Sequence, residues 1–568
     1  MNNIENIECN NLKEILYESV KNYENNIAFT IKKNNNEYVN ISYKAFLEDI
    51  NKLGTALYSM NLKEKRVAVI GRNSYEWALA HMTNMLGGMI SIPLDKDLQI
   101  GEFESLLLRS EPTAIIFDSK YIDNIEVVKK NPNIKIKEYI SMEELDGYTS
   151  IQELLLKGEG LLKDNKEFID YKVQNDIMSI LLFTSGTTEQ AKAVMLSQKN
   201  VSLNIYAMRC VEDIRSTDTN IAFLPYHHIF GSTCMAIMLA CGVKTVFPDG
   251  LKYIKQNLNE YKVSIFVGVP VLIEAIYHTI YKEIKKQKKE NLIKILFKVS
   301  NFLYRHNIDV RRKLFKVIID QLGGELRFLI SGGAAADKEV SQKFNDMGIT
   351  IVQGYGLSET APVIAAEYHG MMKNGSVGKP LNNVKVDIVD KDKDGIGEVI
   401  VKGPNVMLGY YQMPEKTAEV IKDGWFYTGD LGYIDKDGFL FITGRRKNLI
   451  VLKNGKKVFP EEMEIVVNRL DIVEESMVFG LPDKNDKNDV MVSVKISYNK
   501  EVREKEYSNL SDEEFYNEVW KQIKELNKTF PRYKHIQKML LTGEELIKTT
   551  TKKIKRFEEM KLIEKEIK

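Results

Sequence analysis

The chain has 568 residues, 44% of them hydrophobic, with a formal net charge of +1 at pH 7. That length calls for more than one domain, and the balanced charge argues against nucleic acid as a partner. Four cysteines (Cys9, Cys210, Cys234 and Cys241) at irregular spacing, with no C-x-x-C pair, point away from a disulfide framework or a zinc site and towards a reducing, cytoplasmic setting.

The opening Met1-Asn2-Asn3-Ile4-Glu5-Asn6 is polar and acidic, without the basic and apolar run of a signal peptide. Short β-branched runs follow at 67–70, 114–117 and 179–183, and again at 264–267, 328–330 and 350–352, each ahead of a loop and a helical pattern. Such alternation predicts largely parallel α/β sheets, in which ligands bind beyond the carboxyl ends of the strands. Directly after the third run come Thr184, Ser185, Gly186, Thr187 and Thr188, with Lys192 four residues beyond. Hydroxyls, backbone N–H groups around a glycine and a compact cation at that spacing are the parts of a cradle for a nucleotide's phosphates. The order G-x-x-x-x-G-K-S/T is absent, so a kinase-like or GTPase-like P-loop fails on spacing.

Leu224-Pro225-Tyr226-His227-His228-Ile229-Phe230-Gly231 leads into the most apolar stretch, 229–247. Interruptions at Gly231, Ser232, Thr233, Gly242 and Lys244 make that stretch a buried helix running into a strand, too short of clean hydrocarbon for a membrane span. Between 282 and 316 basic residues far outnumber acidic ones, while Leu292, Ile295, Leu296, Val299, Phe302 and Leu303 keep helical spacing. Two readings stand for this segment: peripheral contact with an anionic membrane, at its inner face, or a surface helix with solvated lysines.

Ser331-Gly332-Gly333-Ala334 follows the run at 328–330, and its paired glycines let backbone approach a flat ligand. After the run at 350–352 comes the loop Gln353-Gly354-Tyr355-Gly356-Leu357-Ser358-Glu359-Thr360. In it Tyr355 offers a stacking surface, Ser358 a hydroxyl for a phosphate, and Glu359 a hard oxygen ligand for a Mg²⁺ ion bridging phosphates. From about 384 the texture changes to short strands and tight turns, a small β-rich subdomain. Asp390-Lys391-Asp392-Lys393-Asp394-Gly395 opens like a calcium loop, but Val401 stands at its twelfth position, and a solvated hairpin turn is expected. The spacing of Tyr427-Thr428-Gly429-Asp430 from Gly444-Arg445 returns Asp430 and Arg445 to the same end of a hairpin. A tail rich in Lys and Glu then runs to Lys568 and carries Lys548-Thr549-Thr550-Thr551-Lys552-Lys553-Ile554-Lys555-Arg556.

These segments, in this order and over nearly the whole chain, resemble the AMP-forming adenylate synthetases, the superfamily of acyl-CoA synthetases and luciferases. The phosphate loop resembles T-S-G-T-T-G-x-P-K-G, the loop at 224–231 L-P-x-x-H-x-x-G, and the loop at 353–360 Q-G-Y-G-x-T/S-E, while 548–556 is similar to P-K-T-x-x-G-K-I-x-R. The resemblance implies an α/β fold: a large N-terminal adenylation domain, 1–445, of two doubly wound sheets with the β-rich subdomain from about 384, and a small mobile α+β C-terminal domain, 446–568. It implies ATP-dependent conversion of a carboxylic acid to acyl-AMP with loss of pyrophosphate, then transfer to CoA with loss of AMP. Segments 375–381 and 311–315 look most like long-chain fatty acid–CoA ligases. Loading of a carrier protein in place of CoA, a shorter-chain or aryl acid, and a non-catalytic nucleotide-binding homologue remain open.

Residue by residue, the resemblance implies that Thr184, Lys192, Glu359 and Lys553 are catalytic, with Mg²⁺ on Thr184 and Glu359. Nucleotide falls to Thr184, Ser185, Gly186, Thr187, Thr188 and Lys192, to Gly332, Gly333 and Ala334, and to Gln353, Gly354, Tyr355, Gly356 and Ser358. Asp430 takes the ribose hydroxyls with Arg445 beside it. His228, Gly231, Gly333 and Gly356 border the acid, Lys447 is the hinge of the C-terminal domain, and Gly455 lies in the CoA channel. The sequence departs from the pattern at Glu189, Ala191 and Ala193, where glycine, proline and glycine are usual, and at Ile547 and Lys552. Glu189 would repel phosphates unless turned to solvent.

Overall fold

In the computed structural model, which describes residues 8–33, 37–184, 191–368, 370–482, 490–549 and 553–567, the β-branched runs become strands. Ala114–Phe117 and Phe328–Gly332 bury every residue, as strands do when helices cover both faces of a parallel sheet. One sheet has the order Gly409–Tyr410, Lys192–Ser197, Met178–Thr184, Ile90–Leu94, Arg66–Ile70, Ala114–Phe117, Glu138–Ser141, Thr149–Ser150. Its first two pairings are antiparallel and the rest parallel. A second sheet runs Lys379–Pro380, Val363–Ala366, Thr350–Gly356, Phe328–Gly332, Ile265–Gly268, Thr219–Ile221, Lys244–Val246, Ile27–Lys32, Tyr38–Ser42, parallel in its centre and antiparallel at its ends. These are the two doubly wound sheets expected of the chain. The stretch 229–247 is the buried helix Ile229–Ala240 followed by the strand Lys244–Val246.

Two local expectations are corrected. The run at 179–183 leads into an antiparallel partner, Lys192–Ser197, rather than into a helix. Ala193, Val194 and Leu196 are buried in that strand, and the helical pattern starts only where Ser197 and Asn200 form a capping box for the helix Gln198–Val211. Residues 353–356, read as loop, extend the strand Thr350–Gly356, and only Ser358–Thr360 turns. Paired glycines do not stop a strand whose neighbours on both sides offer hydrogen bonds.

The chain divides into two compact units, Met1–Thr184 with Ala191–Val386 and Val401–Phe426 in the first, and Asp387–Ile400 with Tyr427–Lys568 in the second. Strands Lys385–Val389, Gly397–Lys402, Ile421–Lys422, Trp425–Ile434 and Leu440–Arg445 make the β-rich sheet. In the turn after Lys385–Val389, the Asp392 carboxylate accepts the N–H groups of Asp394 and Ile396 and, at 2.7 Å, the ammonium of Lys457, so the turn is a hairpin and its acid is already paired. The second unit has its own core, where Val494, Phe515 and Val519 pack with Met463 over the three-stranded sheet Val473–Pro482, Val490–Tyr498, Lys538–Thr542. Among the described residues no helix is long and apolar enough to cross a membrane.

The final helix, Arg556–Ile567, is bound to that sheet by a buried ion pair: Lys495 Nζ lies 3.0 Å from Glu559 Oε2, and the residues are 6% and 1% exposed. The other Glu559 oxygen accepts the Ile547 N–H at 2.6 Å. Glu559→Ala would leave the buried ammonium with only Glu566, 3.9 Å away and largely exposed, as counter-charge, which costs about 3 kcal/mol. Chemical denaturation followed by circular dichroism should show that loss, with Glu559→Gln closer to wild type; a loss below ~1 kcal/mol for the alanine variant would contradict this account.

Candidate active site

In the first unit Thr184 and Lys192 face each other across the last pair of their hairpin, and Thr184 Oγ1 donates to the Lys192 carbonyl at 3.3 Å. Arg109 braces both limbs, donating to the Ala191 carbonyl at 2.7 Å while its guanidinium lies 5.4 Å from the Phe183 ring centre. Ser185, Gly186, Thr187, Thr188 and Glu189, with Lys552 of the C-terminal motif, lie outside the described residues.

The Lys192 ammonium sits 4.6 Å over the ring of Tyr410, and the Tyr410 hydroxyl donates to Glu359 Oε1 at 2.9 Å. Tyr410 is 4% exposed and belongs to the short strand that extends the sheet beside Lys192–Ser197. A buried ring thus holds the cation on its face and the carboxylate at its edge. Tyr410 takes one acceptor site of Glu359, which leaves carboxylate lone pairs that, with the Thr184 hydroxyl, are the hard oxygen donors Mg²⁺ prefers. The donor set therefore fits Mg²⁺.

His228 precedes the helix Ile229–Ala240, its N–H donating to the Pro225 carbonyl at 3.1 Å. Gly231 permits this fold-back, because a Cβ there would stand 2.1 Å from the Pro225 oxygen. The His227 and His228 rings lie 4.3 Å apart, and Asp95 Oδ1 is 3.4 Å from His227 Nε2. One ligand atom from each of Asp95, His227 and His228 lies within 4.8 Å of the others.

Gly332 ends the buried strand Phe328–Gly332, while Gly333, with φ at 85°, and Ala334 are exposed beyond it. Gln353 is buried, and Gly354, Tyr355, Gly356, Ser358 and Glu359 are half-buried along the same strand and turn. Gly356 lies against the Pro362 carbonyl, 1.8 Å from where a Cβ would be. The Gln353 N–H donates to Glu367 Oε2 at 3.2 Å, and the Glu367 N–H returns a bond to the Gln353 carbonyl at 2.8 Å. Burial pushes the Glu367 carboxyl up to about 7, against the hydrogen bonds from the Lys373 and Gln353 N–H groups and Ser376.

In the second unit Asp430 and Arg445 stand in register across their hairpin, with Arg445 Nε 2.7 Å from Asp430 Oδ1. Lys553 stands beside the bridge between Lys548 and Ile554, and the Thr549 N–H donates to the Lys553 carbonyl at 2.8 Å. Arg556, next along, donates to Glu464 Oε1 at 2.6 Å and to the Val478 carbonyl at 2.9 Å, which anchors this segment to the sheet. Lys553 remains solvent-exposed as a residue. Loss of hydration among the protein atoms around its ammonium, then repulsion from Arg445, holds its pKa below the usual lysine value, with Asp430 opposing. Three separate sequence motifs thus meet here. Lys447 is exposed in the turn Arg446–Asn448, and Gly455, φ 74°, forms the tight turn between Ile450–Val451 and Lys457–Val458.

Tyr410, Arg109, Asp95 and Glu367 form no part of the sequence reading, and His227 enters it only as the neighbour of His228. The first four come from other segments, and only the doublet Tyr410-Tyr411 after Gly409 marks one of them locally.

Residues 16–411 match the family of AMP-binding enzymes, and residues 447–568 match the AMP-binding enzyme C-terminal domain. The chain is 29% identical over 494 residues to long-chain-fatty-acid–CoA ligase 5 of Mus musculus, covering 80% of this chain and 71% of that one. It is 27% identical over 519 residues to fatty acyl-CoA synthetase B of Dictyostelium discoideum, covering 85% and 76%. The crystal structure of the anthranilate CoA ligase AuaEII in complex with anthranoyl-AMP superposes with a TM-score of 0.77 at 19% identity, over 98% of this chain and 97% of that one, a likeness of fold.

Tyr410→Phe keeps the ring under Lys192 and removes the hydroxyl from Glu359; Tyr410→Leu removes both. Affinity for MgATP by titration calorimetry should fall about threefold in the first and tenfold or more in the second, from the usual size of one hydrogen bond and one desolvated cation–π contact. Equal losses would show that the ring contributes nothing.

Proposed function

Because the chain belongs to the family of AMP-binding enzymes, we propose that it activates a carboxylic acid, a long-chain fatty acid foremost, with ATP and passes the acyl group to CoA. The observation that carries this reading is the gathering of Asp430, Arg445 and Lys553 in one unit by pairing and electrostatic proximity. In the first half-reaction an oxygen of the substrate carboxylate attacks the α-phosphorus, and the bond to pyrophosphate breaks. In the second, the CoA thiolate attacks the acyl carbonyl, and the bond to AMP breaks.

Positioning and charge neutralisation supply most of the rate for such a transfer. Lys192 and Thr184 hold phosphate oxygens; Asp430 accepts from the ribose hydroxyls, with Arg445 orienting it; His228 borders the carboxylate. The Lys553 ammonium donates to the charge that builds on the reacting phosphate. Mg²⁺, with Glu359 and Thr184 as its protein ligands, would neutralise charge between phosphate groups. Residues 1–445 then act as the adenylation domain, and 446–568 as a domain that moves about Lys447 so that CoA passes Gly455.

ATP–pyrophosphate exchange across a panel of acids, followed by thioester formation with CoA, tests the reading. Lys553→Ala should slow exchange about a hundredfold, the weight of a positioned charge in a transition state, yet convert preformed acyl-AMP and CoA at close to the wild-type rate. Equal loss in both steps would remove Lys553 from the first. Exchange with no acid would overturn the function, and exchange that stalls at acyl-AMP with CoA present would move the acceptor to a carrier protein.

The helix Glu290–Arg305 supports a cytoplasmic protein that docks on the inner face of a membrane. Leu292, Ile295, Val299 and Phe302 form an outward stripe, between 43% and 63% exposed, while Ile293, Leu296 and Phe297 pack on the core. Exposed Lys288, Lys289, Lys294, Lys298 and Arg305 flank the stripe. Apolar side chains amid cations match an anionic lipid surface. Sedimentation with phosphatidylserine-containing vesicles should capture the protein, salt and the double variant Leu292→Ser, Phe302→Ser should each release it, and purely phosphatidylcholine vesicles should not bind. Equal capture by both vesicle types, or by neither, would overturn the proposal.

A further inference from the structure

Asp95, His227 and His228 gather metal-ligating side chains that, as a set, the mechanism above does not use. Asp95 follows the strand Ile90–Leu94 of one sheet, and the two histidines lie in the loop beyond the strand Thr219–Ile221 of the other, so the carboxyl ends of both sheets of the first unit contribute. Asn73, beyond the strand Arg66–Ile70, clasps that loop: its amide donates to the carbonyls of Ala222 and Leu224, each at 2.7 Å, and its oxygen accepts the Tyr226 N–H at 2.9 Å. The Asp95 carboxylate is set in turn by the Asp97 N–H, which donates to Oδ1 at 2.9 Å.

His227 is 5% exposed, and its Nε2 is buried with no hydrogen bond among the described residues, although Asp95 Oδ1 is 3.4 Å away. A proton shared between imidazole and carboxylate would draw the pair to about 2.7–2.9 Å, the length of a charge-assisted bond. Bonds of about 2.0–2.2 Å to one tetrahedral ion instead set its ligands ~3.4 Å apart. The rings of His227 and His228 already lie side by side, 4.3 Å between centres, and one ligand atom from each of the three residues falls within 4.8 Å of the others.

We propose that Asp95, His227 and His228 bind Zn²⁺, and that the bound ion inhibits the enzyme. Two imidazoles with one carboxylate are donors that Zn²⁺ takes readily, and they set this site apart from the Mg²⁺ site at Glu359 and Thr184, where oxygen ligands alone are offered. Three protein ligands suffice to hold such an ion. The inhibition rests on the acid-activating reading, in which His228 borders the substrate carboxylate. An ion on His228 takes that histidine away and occupies the ground the carboxylate needs. Filling the site therefore opposes the acid and leaves ATP untouched.

The test is titration of the full-length protein with Co²⁺, a coloured stand-in for Zn²⁺ at tetrahedral sites, in the presence of excess Mg²⁺. Every sample carries Cys210→Ser, because the exposed Cys210 thiol is itself a metal ligand. One Co²⁺ per chain should give the strong visible bands of tetrahedral coordination, and Zn²⁺ should abolish them and raise the Tm. His227→Gln and Asp95→Asn, the latter still able to accept the Asp97 N–H, should each weaken binding about a hundredfold, at least the loss caused by removing a group that only supports a ligand. With acyl-AMP formation followed at fixed MgATP, Zn²⁺ at ten times its Kd should raise the KM for the acid about tenfold without changing kcat, and His227→Gln should cancel that rise. A titration that shows only the pale spectrum of hydrated Co²⁺, or bands equally strong in folded His227→Gln and Asp95→Asn proteins, would overturn the site. A filled site with an unchanged KM for the acid would overturn the inhibition. Acyl-AMP from none of a panel of acids, with the cobalt bands present and lost in the variants, would overturn the acid-activating reading and leave the metal site standing.

Discussion

A cation near a protein surface needs a partner that orients it, and the manner in which each of the two units holds its own motif cations governs the geometry around them. Lys192 rests on the ring of Tyr410, whose hydroxyl is spent on Glu359. Arg445 is paired with Asp430 across a hairpin. Lys553 is held below the usual lysine pKa first by loss of hydration and then by the repulsion of Arg445, with Asp430 as a partial offset. None of these holds is strong: a cation over a ring and a partly exposed ion pair are each worth about 1 kcal/mol. Each of these charges is therefore held without a deep electrostatic trap.

The sheets determine where those holders stand. Parallel strands buried on both faces fix their register, since a slip of one residue would exchange the side chains packed above and below. Gly332 and Gln353 consequently emerge from neighbouring parallel strands, paired Ser331 with Gln353 and Gly332 with Gly354. The antiparallel edge of the other sheet adds what a parallel crossover could not. It sets Thr184 directly opposite Lys192, and then lays Gly409–Tyr410 against the same strand so that the ring falls under the lysine. In the second unit the segment that bears Lys553 depends on Arg556 and on the buried Lys495–Glu559 pair for its anchorage.

Much of this was legible in the sequence wherever the information is local. The strands at 67–70, 114–117 and 328–330 were marked by continuous β-branched runs, and the meeting of Asp430 with Arg445 by the length of the hairpin between them. Tyr410 was not legible, because its partner Glu359 lies 51 residues away and no periodicity joins them. The pair Glu212 and Glu367 was hidden for the same reason: a carboxyl at a helix end reads as solvated until the packing that buries it is known. The helix at 290–305 was found by its spacing, but spacing could not say which apolar residues face inward. The structure turns Ile293, Leu296 and Phe297 to the core and leaves Leu292, Ile295, Val299 and Phe302 outside, since the chain carries more apolar residues there than one buried face can cover.

Activating an acid with ATP brings two anions together, a carboxylate and a triphosphate, and any further negative charge nearby opposes the encounter. The carboxylates of the two units are held in two ways. Asp430 in the second unit is engaged by a guanidinium, and Glu359 in the first by a phenol. Glu367 and Glu212 are instead buried, and burial first, with mutual repulsion added at Glu212, lifts their carboxyl groups to about 7 and about 8. Lifting a carboxyl by burial means that the folded chain prefers it protonated, so near neutral pH Glu212 carries little negative charge and Glu367 only part of one. That arrangement costs stability as pH rises from the ordinary carboxyl range through these values, because the unfolded chain ionises first.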